Sequence, residues 1–233
     1  MLRTYRGVIC SIAIGAVITI FAATAPAGTI IKLSPDSATS HIKFASNLLS
    51  TVDDLNAATT GEHNTAVDFQ GFLDSIPDIA SASASVTVSG ITKAGSATVF
   101  PNQLMLQNFT GGTVSLYDAA NTLLLSGSLK ASTLAGSLGP TGANGALFTT
   151  SFNVITGGTL ADGIDPSSLT FKMNIGGINE GAGLGAPDSV LSPFTANALL
   201  TITGELPVPE PGTYLLLAIG MAIASARMRG QRR

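Results

Sequence analysis

The segment SASVTVSGI, Ser83–Ile91, places valines at alternate positions among small polar residues. Val86 and Val88 fall on one parity, while Thr87 and Ser89 fall on the other. Successive side chains of a β-strand point to opposite faces of a sheet, so this alternation is typical of a strand with one buried face. The segment therefore predicts a half-buried β-strand.

The same pattern recurs along the chain between glycine-rich and polar breaks. It is clear in TSHIKFAS around Ile42 and Phe44, and in TAVDFQGFL around Val67 and Phe69. Further candidate strands are TVFPNQLMLQNF, GTVSLYD, NTLLLSGSL, ALFTTSFNVI, SLTFKMNI and NALLTITGEL. Short strands that recur at intervals of about 10–20 residues predict an all-β fold, either a sandwich or a jelly roll, over residues 28–206.

Three local predictions are more specific. GTVSLYD and NTLLLSGSL predict a β-hairpin around Asp118 and Asn121, although the Ala-Ala between them differs from the preferred hairpin turn residues. SNLLSTVDDLNAA, residues 46–58, carries apolar residues at helical spacing and predicts a short helix. The glycine-rich residues near 179–193 predict a long loop.

The charges divide the chain into an acidic body and two basic ends. Between Arg6 and Arg227 there is no arginine, and five lysines stand against thirteen acidic residues up to Glu205, a formal charge of −8. Phosphate binding needs clustered cations, so this composition excludes nucleic acid as a partner. The single cysteine, Cys10, lies in the N-terminal apolar segment, so the body has no thiol for a disulfide or a metal site.

The N-terminus has the layout of a secretory signal peptide. Arg3 and Arg6 precede an apolar run, and Ala25-Pro26-Ala27 supplies the small residues of a cleavage site. We expect residues 1–27 to be removed by cleavage between Ala27 and Gly28. The alternative is an uncleaved membrane anchor.

The C-terminus predicts a membrane segment followed by cytoplasmic arginines. Thr213 to Ala226 is an uncharged run of 14 residues, short for a bilayer crossing of about 20 residues unless its flanks extend it. Positive residues next to a membrane segment stay on the cytoplasmic side, which places the acidic body outside the cytoplasm. The arginines that set this topology are Arg227, Arg229, Arg232 and Arg233.

Three features stand in fixed order at the end of the chain. Pro209-Glu210-Pro211 precedes the apolar run, and the arginines follow it. In this order, residues 207–233 resemble the PEP-CTERM sorting signal of Gram-negative bacteria. The resemblance implies recognition and processing by an exosortase, a membrane protease, with Pro209, Glu210 and Pro211 as the processing motif.

The resemblance also implies a route and a destination. The precursor would cross the inner membrane, be held there transiently, and then reach the cell surface or the extracellular space. Members of this family are associated with exopolysaccharide and biofilm, so extracellular polysaccharide is an expected partner. The prolines disfavour helix, and an extended segment beside the membrane suits a membrane-embedded protease.

The body carries no clear catalytic pattern. His41 and His63 are its only histidines, and we expect them in an edge strand and a surface loop, respectively. Asp162 and Asp165 could hold calcium, but aspartates before a strand are more often turn formers. A glycosidase would need two carboxylates that act as a catalytic pair. Nothing in the sequence distinguishes Asp53-Asp54, or Asp74 with Asp78, as such a pair. We therefore predict no enzyme activity, no cofactor and no metal.

Three functions remain open. The first is a non-enzymatic surface or matrix protein that an exosortase processes. The second is a secreted carbohydrate-binding or carbohydrate-active protein that uses the same sorting signal. The third is an anchored periplasmic protein that is never processed.

Overall fold

This computed structural model describes residues 28–35, 39–70, 83–140, 145–161 and 164–204. Its regular structure is almost wholly β, which confirms the all-β prediction. The strands are β1 (Gly28–Pro35), β2 (Ile42–Ala45), β3 (Leu48–Thr51), β4 (His63–Phe69), β5 (Ser83–Ser89), β6 (Ile91–Val99), β7 (Leu104–Thr110), β8 (Thr113–Asp118), β9 (Leu123–Leu129), β10 (Ser132–Ser137), β11 (Ala146–Gly157), β12 (Thr170–Gly176) and β13 (Phe194–Gly204). Short 3-10 helices span Pro166–Ser168, Ile178–Gly181 and Pro187–Ser189.

The two predicted membrane-directed segments lie outside these ranges. They are the signal peptide at residues 1–27 and the apolar segment within residues 207–233. In the part of the chain that is described, no helix combines the length and the apolar character needed to cross a bilayer. The described structure therefore belongs to the predicted body.

The strands form one antiparallel sheet that closes on itself. Its strands follow one another as a meander, and β13 pairs with β1 on one side and with β12 on the other. β12 also pairs with β11, which completes the ring. A jelly roll instead joins its strands through Greek keys. The described connectivity thus differs from the sandwich or jelly roll expected, because strand spacing in a sequence does not reveal which strands pair.

Consecutive strands often lie end to end as two halves of one bent strand. β5 pairs with β8, and β6 pairs with β7. On the other side, β8 pairs with β9, and β7 pairs with β10. Backbone hydrogen bonds cross the joints, from Leu129 N to Gly112 O and from Lys130 N to Ser151 O, both at 2.9 Å. With β1–β2 and β3–β4 arranged in the same way, the thirteen described strands occupy eight positions around the ring.

The bends change which residues face the interior. In a regular strand, residues on one face are separated by even numbers, and a shift of one residue turns every side chain to the other face. Across each bend, the two buried apolar residues that flank it are instead separated by an odd number of sequence positions. The flanking pairs are Val88 and Ile91 around Gly90, Phe109 and Val114 around Gly111–Gly112, and Leu129 and Leu134 around Lys130–Ala131. Each bend therefore restores the inward direction of the apolar side chains.

A chain of phenylalanine rings runs through the interior. Neighbouring ring centroids are 5.7–6.5 Å apart, and most of the rings meet edge to face, which is a favoured aromatic geometry. The rings follow the order Phe194, Phe44, Phe109, Phe148, Phe171 and Phe152. They come from five strands, β13, β2, β7, β11 and β12, so the chain of rings ties distant parts of the sequence together.

The predicted hairpin between β8 and β9 is confirmed, with a longer turn than two residues. Asn121 N donates to Asp118 O, and Asp118 N donates to Thr122 O, both at 3.0 Å. Asn121 has a φ of 61°, the left-handed conformation that follows a type I turn in hairpins of this kind. Alanine is acceptable at the centre of a type I turn, so the sequence does not need Asn-Gly there.

The helix predicted over residues 46–58 is wrong. Leu48–Thr51 forms β3, which pairs with β2 across a turn where Ser46 and Asn47 both have positive φ. Leu49 is buried, whereas Leu55 lies in the following loop and is 88% exposed. The leucines therefore do not share a face. Pairing of β3 with both β2 and β6 outweighs the local helical spacing.

We predict that Phe148→Ala destabilises the protein by about 3–5 kcal/mol, because it removes a fully buried ring and leaves a cavity. Its neighbour Leu147 is 42% exposed, so Leu147→Ala should cost at most about 1 kcal/mol. Denaturant unfolding of both variants measures the difference. Equal losses would contradict the inward orientation of Phe148.

We also predict that Gly112→Ala is more destabilising than Gly111→Ala. Both glycines have positive φ, so alanine costs about 1–2 kcal/mol at either position. At Gly112 the added methyl also collides with the Ile91 side chain, while at Gly111 the nearest atom to the added methyl is Gly90 O at 3.9 Å. The total at Gly112 should reach about 2–4 kcal/mol. Thermal unfolding of the two variants tests this order.

Candidate functional site

The proposed processing residues lie beside the described body in the sequence. Pro209, Glu210 and Pro211 fall outside the described ranges, as do Ala27 and the arginines Arg227, Arg229, Arg232 and Arg233. Gly28, on the other side of the predicted signal-peptide bond, is the first residue of β1.

Gly28 and Gly204 are direct partners in the pairing of β1 with β13. The first residue of the predicted mature body therefore lies beside the last residue of its last strand. Pro209 follows Gly204 by five residues, a distance of at most about 18 Å in a fully extended chain. Both predicted processing points are thus joined to one end of the β1–β13 pair.

The two histidines form a buried pair. Nδ1 of His41 and Nε2 of His63 are 2.7 Å apart, and the ring centroids are separated by 4.3 Å. His41 lies just before β2, and His63 is the first residue of β4. This corrects the expectation of an edge-strand histidine and a loop histidine. Their separation of 22 residues shows no recognisable spacing, so the sequence alone did not predict the contact.

The burial of this pair limits what it can do. His41 is 1% exposed and His63 is 7% exposed, so a dissolved substrate has no direct access to either ring. His41 N donates to Ala196 O at 2.9 Å, and Val52 N donates to His41 O at 2.8 Å. The pair therefore joins the bend between β1 and β2 to the bend between β3 and β4.

The aspartates singled out in the sequence act as turn caps where the structure describes them. Asp53 Oδ1 accepts from Leu55 N at 2.8 Å, and Asp54 Oδ1 accepts from Asn56 N at 2.9 Å. Asp74 and Asp78 lie outside the described ranges. Within those ranges no three His, Cys, Asp or Glu side chains group closely enough to hold a metal ion.

Asp165 caps the 3-10 helix Pro166–Ser168. Its two carboxylate oxygens accept from Ser167 N and from Ser167 Oγ, both at 2.8 Å. These hydrogen bonds favour the ionised form and lower the pKa of Asp165 from its ordinary value of 3.8. Asp162, its proposed partner for calcium, is outside the described ranges. The hydrogen bonds of Asp165 agree with the interpretation of this aspartate as a turn former.

A pocket lined mainly by polar residues lies on the outer face of the sheet, with a volume of about 490 Å³. We call it the outer pocket. Its floor comes from β1, β4 and β5, and its walls come from the loop between β3 and β4 and from the β8–β9 turn. Residues that line it include Ser34, Asn56, Asn64, Ser85, Asp118 and Asn121. The sequence did not predict this pocket, because its residues come from separate segments with no common spacing.

We predict that Asp165→Asn removes a contribution to stability that depends on pH. Because the native pKa is lowered, the ionised carboxylate stabilises the native turn above pH 3.8, and this contribution disappears as the pH falls through the native pKa. The difference in unfolding free energy between wild type and Asp165→Asn should therefore be largest near neutral pH and shrink below about pH 4. Urea unfolding across this range tests it, and a difference that grows on acidification would contradict the assignment.

Comparison with known proteins gives a match at the C-terminus. Residues 207–233 match the family model of the PEP-CTERM protein-sorting motif. No curated protein and no solved structure gives a significant match to the chain. The matched residues include the Pro-Glu-Pro tripeptide, the apolar run and the arginines in their expected order. Residues 207–233 therefore carry a PEP-CTERM protein-sorting motif.

Proposed function

We propose that the chain is the precursor of a non-enzymatic surface or extracellular matrix protein. The PEP-CTERM motif is a recognition signal for processing by an exosortase and marks the chain as an exported protein. In this proposal residues 1–27 are removed during export, residues 207–233 hold the precursor in the inner membrane, and the exosortase releases the body. The body then associates with extracellular polysaccharide, as in a biofilm.

The observation that carries the proposal is the match of residues 207–233 to the sorting motif. Pro209 and Pro211 lack a backbone N–H and disfavour helix, so the motif suits a protease that grips an extended chain. Glu210 supplies a single anionic group, which a cationic or hydrogen-bonding pocket of the enzyme can bind.

The position of the motif after the body supports the same proposal. β13 ends at Gly204, so the chain between the folded body and Pro209 is short. The partnership of Gly28 with Gly204 brings the start of the proposed mature chain to the same place. Because both terminal segments join the body at the same end of the β1–β13 pair, we expect the body to remain folded when they are removed.

A non-enzymatic body is supported by the surroundings of its titratable residues. The histidines are buried against each other, and the aspartates Asp53, Asp54 and Asp165 bind backbone groups of neighbouring turns. The alternative is a carbohydrate-binding or carbohydrate-active protein with the same sorting signal. The outer pocket favours carbohydrate binding as this second candidate.

We predict that Glu210→Gln lowers the amount of released protein about tenfold, because the enzyme loses a hydrogen bond to a charged group. The matched control is Glu205→Gln, which removes a carboxylate just before the motif and should leave release unchanged. Fractionation and mass spectrometry in cells with and without the exosortase provide the measurement.

The expected wild-type product begins at Gly28 and lacks the terminal arginines, and it should be absent in cells without the exosortase. Two results would overturn the proposal. One is released protein that still contains Gln231, Arg232 and Arg233. The other is identical full-length membrane protein in both strains.

A further inference from the structure

We propose that the outer pocket binds an uncharged sugar residue of a polysaccharide chain. The inference rests on the proposed function, since a protein at the cell surface meets polysaccharide. It goes further by naming the site and the charge class of the ligand. The volume of about 490 Å³ lies within the range of small-ligand pockets, about 300–1,000 Å³.

The side chains that line the pocket match the chemistry of a sugar. Asn56, Asn64 and Asn121 each carry a carboxamide, which both donates and accepts hydrogen bonds, as sugar hydroxyls do. Ser34 adds a hydroxyl group with the same capacity, whereas the hydroxyl of Ser85 already donates to Asn64 Oδ1. The lining also contains the exposed residues Ala58, Ala66 and Ala119, whose methyl groups can contact the C–H groups of a sugar ring.

The charge of the pocket selects against anionic ligands. Asp118 carries the one charge among the described lining residues, and it is negative. The body around it has five lysines against thirteen acidic residues, so it repels anions as a whole. A uronic acid would bring its carboxylate towards Asp118 with no described cation in the lining to compensate. A neutral sugar meets no such repulsion.

The walls of the pocket are held in place before any ligand binds. Asp118 Oδ1 accepts from Ala120 N at 2.9 Å and from Thr122 N at 2.7 Å, which fixes the β8–β9 turn. On the opposite wall, Asn56 Oδ1 accepts from Ala58 N at 3.0 Å. Polar groups that are already positioned lose less conformational entropy on binding, which raises affinity.

The floor of the pocket presents a hydrogen-bond donor, the carboxamide of Asn64, to a ligand. Ser85 Oγ donates to Asn64 Oδ1 at 3.4 Å, and this contact orients the Asn64 carboxamide on the outer face. Asn64 Nδ2 makes no hydrogen bond to another described residue, so it can donate to a sugar hydroxyl. Asn121 has a φ of 61° on the facing turn, and its Nδ2 donates to Ala58 O on the other wall at 3.5 Å, which leaves its second N–H and its Oδ1 for a ligand. Asn64 and Asn121 are therefore the residues to test.

The test uses the full-length chain in a phosphocholine detergent, since the sugar head group of a maltoside would compete. The probes are maltohexaose, cellohexaose and mannohexaose as neutral oligosaccharides, and hexagalacturonate as the anionic one. Asn64→Ala removes the floor carboxamide. Asn121→Gly removes the wall carboxamide and tolerates the positive φ. Titrations followed by NMR measure the affinity of each protein for each probe.

The matched controls lie outside the described lining. Asn174→Ala removes an exposed asparagine from β12, and Asn47→Gly replaces another exposed asparagine with positive φ. We expect at least one neutral hexasaccharide to bind, with affinity about tenfold lower in each pocket variant and within about twofold of wild type in each control.

Three results would overturn the inference: no neutral probe binding below about 10 mM, pocket variants binding as wild type does, or hexagalacturonate binding most tightly. Failure here is distinct from failure of the proposed function, which is read from the masses of released chains. Thermal unfolding of each variant checks that the fold is intact.

Discussion

Pairing between the first and last strands is the constraint on which the described structure depends. β1 and β13 exchange backbone hydrogen bonds from Gly28 with Gly204 to Leu33 with Leu200. A sheet with free edges exposes unpaired N–H and C=O groups and can pair with other chains. Closure of the ring satisfies these groups within one molecule. It also brings the two ends of the body together, although they are far apart in the sequence.

Closure is compatible with a filled interior because the strands bend. The bends at Gly90, at Gly111–Gly112 and at Lys130–Ala131 lie on neighbouring strands, as the backbone bonds from Leu129 to Gly112 and from Lys130 to Ser151 show. Each bend shifts the alternation by one residue, so apolar side chains point inward on both sides of it. The phenylalanine rings then meet across five strands.

The two proposed functions use different parts of the sequence. The processing segment follows β13 at Gly204, beside the start of β1. The outer pocket includes Ser34, six residues along β1 from Gly28, or about 20 Å in an extended strand. None of the described residues that line the pocket belongs to the terminal segments whose removal we propose. In our proposal, the body released by the exosortase therefore keeps the complete described lining of the pocket.

The sequence by itself determined the strand-rich class and the sorting motif, because both depend on local patterns. Val86 and Val88 reveal a strand through their alternation, and Pro209-Glu210-Pro211 is recognisable through its order with the apolar run and the arginines. Only the tertiary structure decided how the strands close, why Leu48–Thr51 is a strand rather than part of a helix, and that His41 meets His63. It also decided that Asn64 and Asn121 line one pocket. The physical reason is that these features arise from contacts between residues distant in the chain, where pairing and burial outweigh local preference.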